Sequence, residues 1–492
     1  MTRIRHSMLP LLAIPFLPLS LAHDHHGDER IPEGSHVSDD PIDAILWVHI
    51  LSMITAFGIL YPLGMVLGLV RNRFHVPVQI AASCIAIMGW FLGHSHEGRE
   101  FEDGNVHERY APFLGFGVAS QVGMGIYLKL HLERGWHGRI RPLIVRAHGI
   151  VGVVLPVASW VQMLFGGITA LGFCHDDHLG QCLAHFIMGS SFIGYAIVMT
   201  LMTLVGQAWL RRQGRAPEFW DSLIIAVWGF VNTFTEHRWG SPWSHGDYQH
   251  TSMGIVWWCA GLLGLWLSRG KHGEARRNLI PGIVIFLTGW AMASHVQHLE
   301  FSTKVHAVFG YTLMAAGLSR MIEIAFILRD RSARPNGEPS TFQHLPPYLL
   351  IASGFIFMGA TEEQLHLLHD SGVDHVSYLL VLYSVAFLLY LFVQILVYIY
   401  ASNTSTPKRE NGGIGNLGVR SGAGGAAGRR RPELAPIETL ARTRDAEEFE
   451  LEGLMSDDED ARAVPDSALS SGTRVGVEMD REDGLTPLKE RA

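Results

Sequence analysis

Histidine is the unusual residue of this chain, at 27 of 492 positions, all of them before residue 401. A neutral imidazole offers a nitrogen lone pair and is the commonest side-chain ligand for iron, copper and zinc. Four histidines, His49, His75, His107 and His148, each fall near the N-terminal end of an apolar stretch. If neighbouring helices run antiparallel, His49 and His107 lie at one end of a four-helix set and His75 and His148 at the other. Two imidazoles facing each other across a bundle can take both axial positions of a haem iron. Such an iron has no open site for oxygen and passes single electrons. Two of them, one near each membrane face, form a path for charge through an interior that otherwise offers none. A lone histidine at a helix end is ordinarily interfacial, so the alternation of the four carries the expectation.

A second population follows. It comprises His245, Asp247 and His250; His295, His298 and His306; and Glu362, Glu363, His366 and His369. The pairs 295/298 and 366/369 are three residues apart, which puts two imidazoles on one helical face. Imidazoles mixed with carboxylates suit a transition metal: iron, copper or zinc. The plain alternative for each residue is an interhelical hydrogen bond or a helix cap.

The elements that must hold these residues are membrane helices. The chain is 48% hydrophobic and 17% charged, too apolar to cover a soluble globule of this length. Its net charge of −8 and lack of a basic domain argue against a nucleic-acid partner. A span of the ~30 Å hydrocarbon core takes about 20 helical residues. Eleven stretches qualify, near 43–70, 77–96, 110–131, 142–165, 183–206, 219–237, 251–268, 279–298, 304–328, 347–367 and 376–400. The expected fold is all-α, a polytopic helical bundle in contact with lipid. Residues 1–22 read as a signal peptide, with Arg3 and Arg5 before an apolar run and a small-x-small site at Ser20 to Ala22. Basic residues then set the orientation. Arg71, Arg139, Arg211, Arg269, Arg329 and their neighbours lie on one side, and Arg30, Arg99, Arg109, Arg238 and Lys304 on the other. The richer side is cytosolic, so the N-terminus is outside, the C-terminus inside, and the membrane one of the secretory pathway: plasma membrane, vacuole or endomembrane.

The last 92 residues hold no histidine and one aromatic, Phe449, and read as a disordered cytosolic tail. Cys174 and Cys182 share one non-cytosolic loop, where a disulfide is permitted. Cys84 and Cys259 lie inside spans. There is no dinucleotide fingerprint, P-loop, nucleophile elbow or HExxH. An electron donor is therefore expected to be a small anionic reductant such as ascorbate, or a partner protein on the cytosolic side. Arg71, Arg73, Arg139, Arg141 and Arg146 lie where they would attract an anion, although setting topology accounts for them equally.

The region 49–152 resembles the cytochrome b-561 superfamily. The resemblance rests on His49 followed by Tyr61-Pro62-Leu63-Gly64 and Arg71, on His75-x-x-x-Gln79, on His107 with Gln121, and on His148-x-x-x-Gly152. It implies two b-type haems held by His49 with His107 and by His75 with His148. The third helix departs from the family pattern, because Glu108-Arg109-Tyr110 stand where a glycine is usual, and His94 and His96 remain substitutes for His107. Residues 219–400 resemble the fungal YTP-like family through Asp247-Tyr-Gln-His250, His295-Val-Gln-His298 and Glu362-Glu363-Gln-Leu-His366. The expected organisation is a signal peptide at 1–22, a b-561-like region at 43–206, a YTP-like membrane region at 219–400 and a tail at 401–492. The expected function is transmembrane electron transfer that ends on a metal ion at the non-cytosolic face, as in a ferric or cupric reductase. A metal-binding or transport protein without redox work and a scaffolding membrane protein are the alternatives.

Overall fold

The computed structural model describes residues 31–132, 134–237, 240–294, 297, 299–328 and 339–404. The expected signal peptide, His295 and His298, and the chain from 405 onward lie outside the described residues. The described chain is α-helical, and among the described residues the only β-type pairings are two isolated bridges. The helices are α1 (Ala44–Leu69), α2 (His75–Gly93), α3 (Val106–Lys129), α4 (His137–Leu171), α5 (Leu179–Leu204), the short α6 (Gln207–Gln213), α7 (Pro217–Thr235), α8 (His245–Leu267), α9 (Ile280–Ala293), α10 (Glu300–Ile322), α11 (Leu345–Met358), α12 (Glu362–Asp370) and α13 (His375–Thr404).

Local sequence explains several boundaries. Asp43 caps α1 by accepting from Leu46 N at 2.8 Å, and Asn105 caps α3 by accepting from Glu108 N at 3.0 Å. Both are residue types whose short oxygen-bearing side chains satisfy the free N–H groups of a first turn. The middle of α1, Ile54–Leu60, widens into a π-helical turn immediately before Pro62. Proline has no N–H to donate and its ring crowds the preceding turn, so the helix loosens there. The 35-residue α4 ends at Gly172, which has a φ of 68°. Glycine adopts that left-handed conformation without strain.

Seven helices in the described residues are long and apolar enough to cross a membrane: α1, α2, α3, α4, α5 with its preceding turn, α10 with its π-helical continuation Glu323–Leu328, and α13. The other four expected spans are also helices, but α9 and α11 have 14 residues each. At 1.5 Å per residue that is about 21 Å, short of the hydrocarbon thickness. α7 and α8 have the length, and polar residues such as Glu218, Asp221, Asp247 and His250 dilute them.

In the first region α1 packs on α2, α3 on α4, and the π-helical turn of α1 against α4. In the second, α11 packs between α5, α10 and α13, α9 packs on α10, and α7 on α8. Its core holds the fully buried Phe309, Leu313, Leu350, Ile351, Ile356 and Leu365. By packing, α5 sits with the second region.

On one face three loops are tied together. The Val37–Phe101 bridge joins residues before α1 to the loop after α2, supported by Ser38 N to Glu100 O at 3.0 Å. The expected Cys174–Cys182 disulfide is present and fixes the α4–α5 connection. Cys84 and Cys259 are free thiols exposed on their helices.

Candidate functional site

The four alternating histidines meet in the expected pairs. The rings of His49 and His107 have centroids 6.3 Å apart and planes at 86°, and those of His75 and His148 have centroids 6.3 Å apart and planes at 88°. Three of the four rings share one local arrangement, and the fourth, His148, has a buried Nδ1 with no hydrogen-bond partner. His49 Nδ1 bonds Gly89 O at 2.7 Å, and Gly93, one turn on, lies against the ring. His75 Nδ1 bonds Gly64 O at 2.7 Å, with Gly68 against its ring. His107 Nδ1 bonds Gln162 O at 3.2 Å, with Gly166 against its ring. His148 lies against Gly125, four residues after Gln121, and the Gln121 amide donates to His148 O at 2.9 Å. A Cβ on Gly93 would come within 2.6 Å of His49, and one on Gly68 within 2.8 Å of His75. His49 is thus held by the C-terminal end of α2 and His75 by the C-terminal end of α1, so the two pairs occupy opposite ends of the bundle.

These features fit a bis-histidine haem. At His49 and His75 donation from Nδ1 to a carbonyl leaves Nε2 as a lone pair, the usual arrangement behind a metal-bound imidazole, whereas His107 Nδ1 also lies 3.1 Å from the Gln162 side-chain amide. Two imidazole–metal bonds of about 2.0 Å in line, plus about 1.1 Å from nitrogen to ring centre at each end, place the centroids roughly 6.2 Å apart. Of the alternatives to His107, His94 is bonded within its own helix end, while His96 has a buried Nδ1 with no hydrogen-bond partner. His94 Nδ1 bonds Trp90 O at 2.8 Å, and His96 packs edge-on to Phe101, where burial lowers its pKa.

Of the arginines near the His75–His148 end, Arg141 is buried and donates both terminal nitrogens to Leu128 O at 3.3 Å, closing the end of α3. Arg73 lies over the Phe74 ring at 4.9 Å.

A second constellation lies on the face of the tied loops. His36, Glu102 and His175 bring three ligand atoms within 4.8 Å of one another. His36 Nδ1 is 2.7 Å from Glu102 Oε2, its Nε2 is 3.7 Å from Asp176 Oδ2, and its ring stacks on His175 with centroids 3.4 Å apart. Both neighbours of His175 are non-glycine residues at positive φ, Cys174 at 67° and Asp176 at 45°. Strain of this kind is held only where the surroundings over-determine it. The disulfide does so from one side, and Glu363 does so from the other by accepting from Cys174 N at 3.0 Å. Burial, with His36 beside it, lowers the pKa of His175. Both causes disfavour the charged ring and keep it available as a neutral ligand. Glu102 precedes His107 by five residues, so this cluster and the His49–His107 pair share one end of the bundle.

The remaining second-region candidates are spread out. Asp247 completes the capping box of α8 with Ser244 and accepts from His237 at 3.1 Å. His250 faces Glu236 at 3.2 Å. Glu362 and His366 face each other at 3.9 Å on the exposed side of α12, while His369 and His375 flank Phe301. The side chain of His245 is outside the described residues, as are His295 and His298. His306 lies in the core, with its ring centroid 6.0 Å from that of His185.

A buried charge cluster completes the second region. Glu218 Oε1 accepts from Arg277 at 2.8 Å and from Arg320 at 2.9 Å, and Arg320 reaches Glu323 at 2.6 Å and Asp221 at 3.5 Å. Ionised groups within apolar helices are expensive and persist only when paired. The pairs Glu218/Asp221 and Arg320/Glu323, each three apart inside an apolar stretch, are the signal that marks this cluster in the sequence.

Residues 158–401 match the family model described as "Protein YTP1-like, C-terminal", and residues 29–131 match a domain of unknown function (DUF2427). Protein YTP1 of Saccharomyces cerevisiae is 46% identical over 237 residues, which cover 48% of this chain and 50% of that one. The chain therefore spans about half the length of that relative. The uncharacterized membrane protein C3B8.06 of Schizosaccharomyces pombe is 21% identical over 443 residues, covering 65% of this chain and 86% of the relative. The uncharacterized membrane protein YCR061W of Saccharomyces cerevisiae is 26% identical over 176 residues, 32% of this chain and 28% of that one. No solved structure matches.

Proposed function

Starting from a chain that belongs to the YTP1-like family of fungal membrane proteins, we propose that it carries single electrons across its membrane, using two bis-histidine haems, to a transition-metal ion at the His36–Glu102–His175 face. The observation that carries the reading is the pair of perpendicular imidazole sandwiches, each 6.3 Å between centroids, at opposite ends of one four-helix bundle. Haem b held by these histidines would supply reversible one-electron chemistry. The chain's own part is positional. Backbone carbonyls of Gly89, Gly64 and Gln162 hold Nδ1 of three ligands and aim Nε2 inward, and the glycines beside the rings leave space that a side chain would close.

Electrons enter from a one-electron reductant, small and anionic or a partner protein, at the His75–His148 end. The reductant loses one electron, and a ferric or cupric ion held by His36, Glu102 and His175 gains it. The excess of basic residues beside the His75–His148 end supports a cytosolic donor side, with the N-terminal loops on the non-cytosolic face. Vesicles containing the purified chain, loaded with ascorbate, test the reading. Reduction of external ferric or cupric complexes is expected to fall at least tenfold in His75→Ala and in His49→Ala. An unchanged rate in both contradicts it.

The outer cluster also supports a second reading, metal binding without electron transfer. In that case metal retention depends on His36 and His175 while both His49→Ala and His75→Ala leave metal handling intact.

A further inference from the structure

We propose that the cavity among α5, α6, α7 and α10 holds a small protonated amine, with the Asp221 carboxylate as its counter-ion. The site shares no residue with the haem reading.

The cavity has a volume of about 230 Å³. A cavity of ~150 Å³ admits benzene, so this one admits a molecule of roughly ten non-hydrogen atoms. Two local features make the room. α5 stops at Leu204, where Gly206 N bonds back to Leu201 O at 2.8 Å, and α6 then supplies Trp209 and Leu210 as one wall. On the other side α10 loosens into the π-helical turn Glu323–Leu328, whose first and last residues both line the cavity. Such turns widen a helix locally and recur at functional sites.

The charges beside the cavity do not balance. Glu218, Asp221 and Glu323 stand against Arg277 and Arg320, a formal excess of one negative charge. The glutamates take the short contacts to both arginines. Glu218 Oε1 accepts from Arg277 at 2.8 Å and from Arg320 at 2.9 Å. Glu323 accepts from Arg320 at 2.6 Å through one oxygen and from the Gln343 amide at 3.1 Å through the other. Asp221 keeps only a long ion pair, 3.5 Å from Arg320, with the Tyr195 hydroxyl beside it, and its Oδ2 makes no hydrogen bond. Asp221 lines the cavity and Glu218 does not. A carboxylate taken out of water among apolar helices persists as an ion only with a cation to match it. Asp221 is the carboxylate still short of one.

The lining selects the kind of cation. An anion would have to displace a glutamate from an arginine and would face three carboxylates. A divalent metal ion would be repelled by the guanidinium 3.5 Å from Asp221, and the indole rings of Trp209 and Trp220 offer it no ligand atom. An organic ammonium group suits the same walls. Tyr195, Trp209 and Trp220 line the cavity, with the two indoles 5.4 Å apart, and aromatic rings attract organic cations. Met199, Met202 and Ile224 give apolar surface for the hydrocarbon part. The ammonium could belong to a free amine or to an aminophospholipid headgroup, and the chemistry at Asp221 is the same in both.

The full-length chain, purified in detergent, is to be titrated by calorimetry at neutral pH with phenethylammonium, with its uncharged counterpart 2-phenylethanol and with 3-phenylpropionate. Wild type is expected to bind the amine at least tenfold more tightly than the alcohol and to show no binding of the carboxylate. Asp221→Asn should bind amine and alcohol equally. Because the amine and the alcohol are compared on wild type, that comparison decides the matter even if the variant fails to fold. Lipid extracted from the purified chain separates the two sources. One aminophospholipid per chain in wild type, lost from Asp221→Asn, assigns the ammonium to a headgroup, and amine binding without such a lipid assigns it to a free amine. Equal affinity of wild type for amine and alcohol, an unchanged preference in Asp221→Asn, or neither amine binding nor a retained aminophospholipid would each overturn the assignment.

Discussion

The two regions use glycine for opposite purposes. In the first, Gly93, Gly68, Gly166 and Gly125 face imidazole rings on a neighbouring helix. In the second, glycines face backbone. A Cβ on Gly289 would meet Gly310 O at 2.6 Å, and one on Gly317 would meet Gly282 O at 2.6 Å, which locks α9 against α10. The first bundle is correspondingly open, with 6% of the apolar stretch of α3 buried against 50% for α10. Between helices in lipid no hydrophobic drive operates, so small residues that let backbones touch supply the packing. A bundle that keeps its glycines beside rings uses that close approach to seat the imidazoles, which a Cβ on Gly93 or Gly68 would displace. The same residue type seats imidazole rings in one region and closes a helix seam in the other.

The largest effect expected from breaking this contrast is at the ligands. His75→Ala or His148→Ala should reduce haem from two per chain to one, and His49→Ala added to either should remove both, as measured by pyridine haemochrome content. Retention of two haems in any single variant breaks the pairing. Next is the charge cluster. Arg320→Ala leaves the fully buried Glu323 without an arginine partner and the fully buried Glu218 with Arg277 alone. Removing one partner of a buried ion pair costs about 3–5 kcal/mol, to be seen as a lower thermal midpoint in detergent. Arg320→Met paired with Glu218→Gln should recover part of it.

The glycines sharpen the contrast further. Gly93→Val should lower occupancy of the His49–His107 site by at least tenfold with little change in thermal midpoint before haem loading. Gly289→Val should destabilise the chain by about 1–3 kcal/mol while leaving the haem content per folded chain unchanged. Identical outcomes for the two valines would mean that the glycines share one role.

The smallest effect concerns pH at the outer cluster. His175 binds a proton less readily in the fold than in the unfolded chain. Stability therefore rises with pH across the window just below the ordinary histidine value of about 6.5. Copper or iron bound at His36, Glu102 and His175 should survive mild acidification and be released as both imidazoles protonate, and His175→Gln should abolish binding at every pH tested. Metal binding that is independent of His36 and His175 would remove this cluster from the electron path.

The helical class and the histidine pairs were legible because helix starts, apolar runs and antiparallel alternation are local patterns. Cys174 and Cys182 were legible for the same reason, sharing a single loop. The outer cluster was not, since His36, Glu102 and His175 come from three loops that only a β-bridge and a disulfide bring together. His185 looked like any apolar-helix histidine, because the ring of His306 that it meets is far along the chain and no spacing links them. Glu218 and Arg320 were readable as charges inside apolar stretches, but their mutual pairing depends on how α7 meets α10. α9 and α11 read as full spans because the polar residues flanking them do not show where a 14-residue helix stops.

The most direct measurement is the visible absorption spectrum of the purified, haem-supplied chain before and after dithionite, together with haem counted per chain. Two haems per chain, with Soret and α bands that sharpen on reduction and no band shift under carbon monoxide, are the predicted result. A chain that folds, elutes as a single species and carries no haem absorbance contradicts the account.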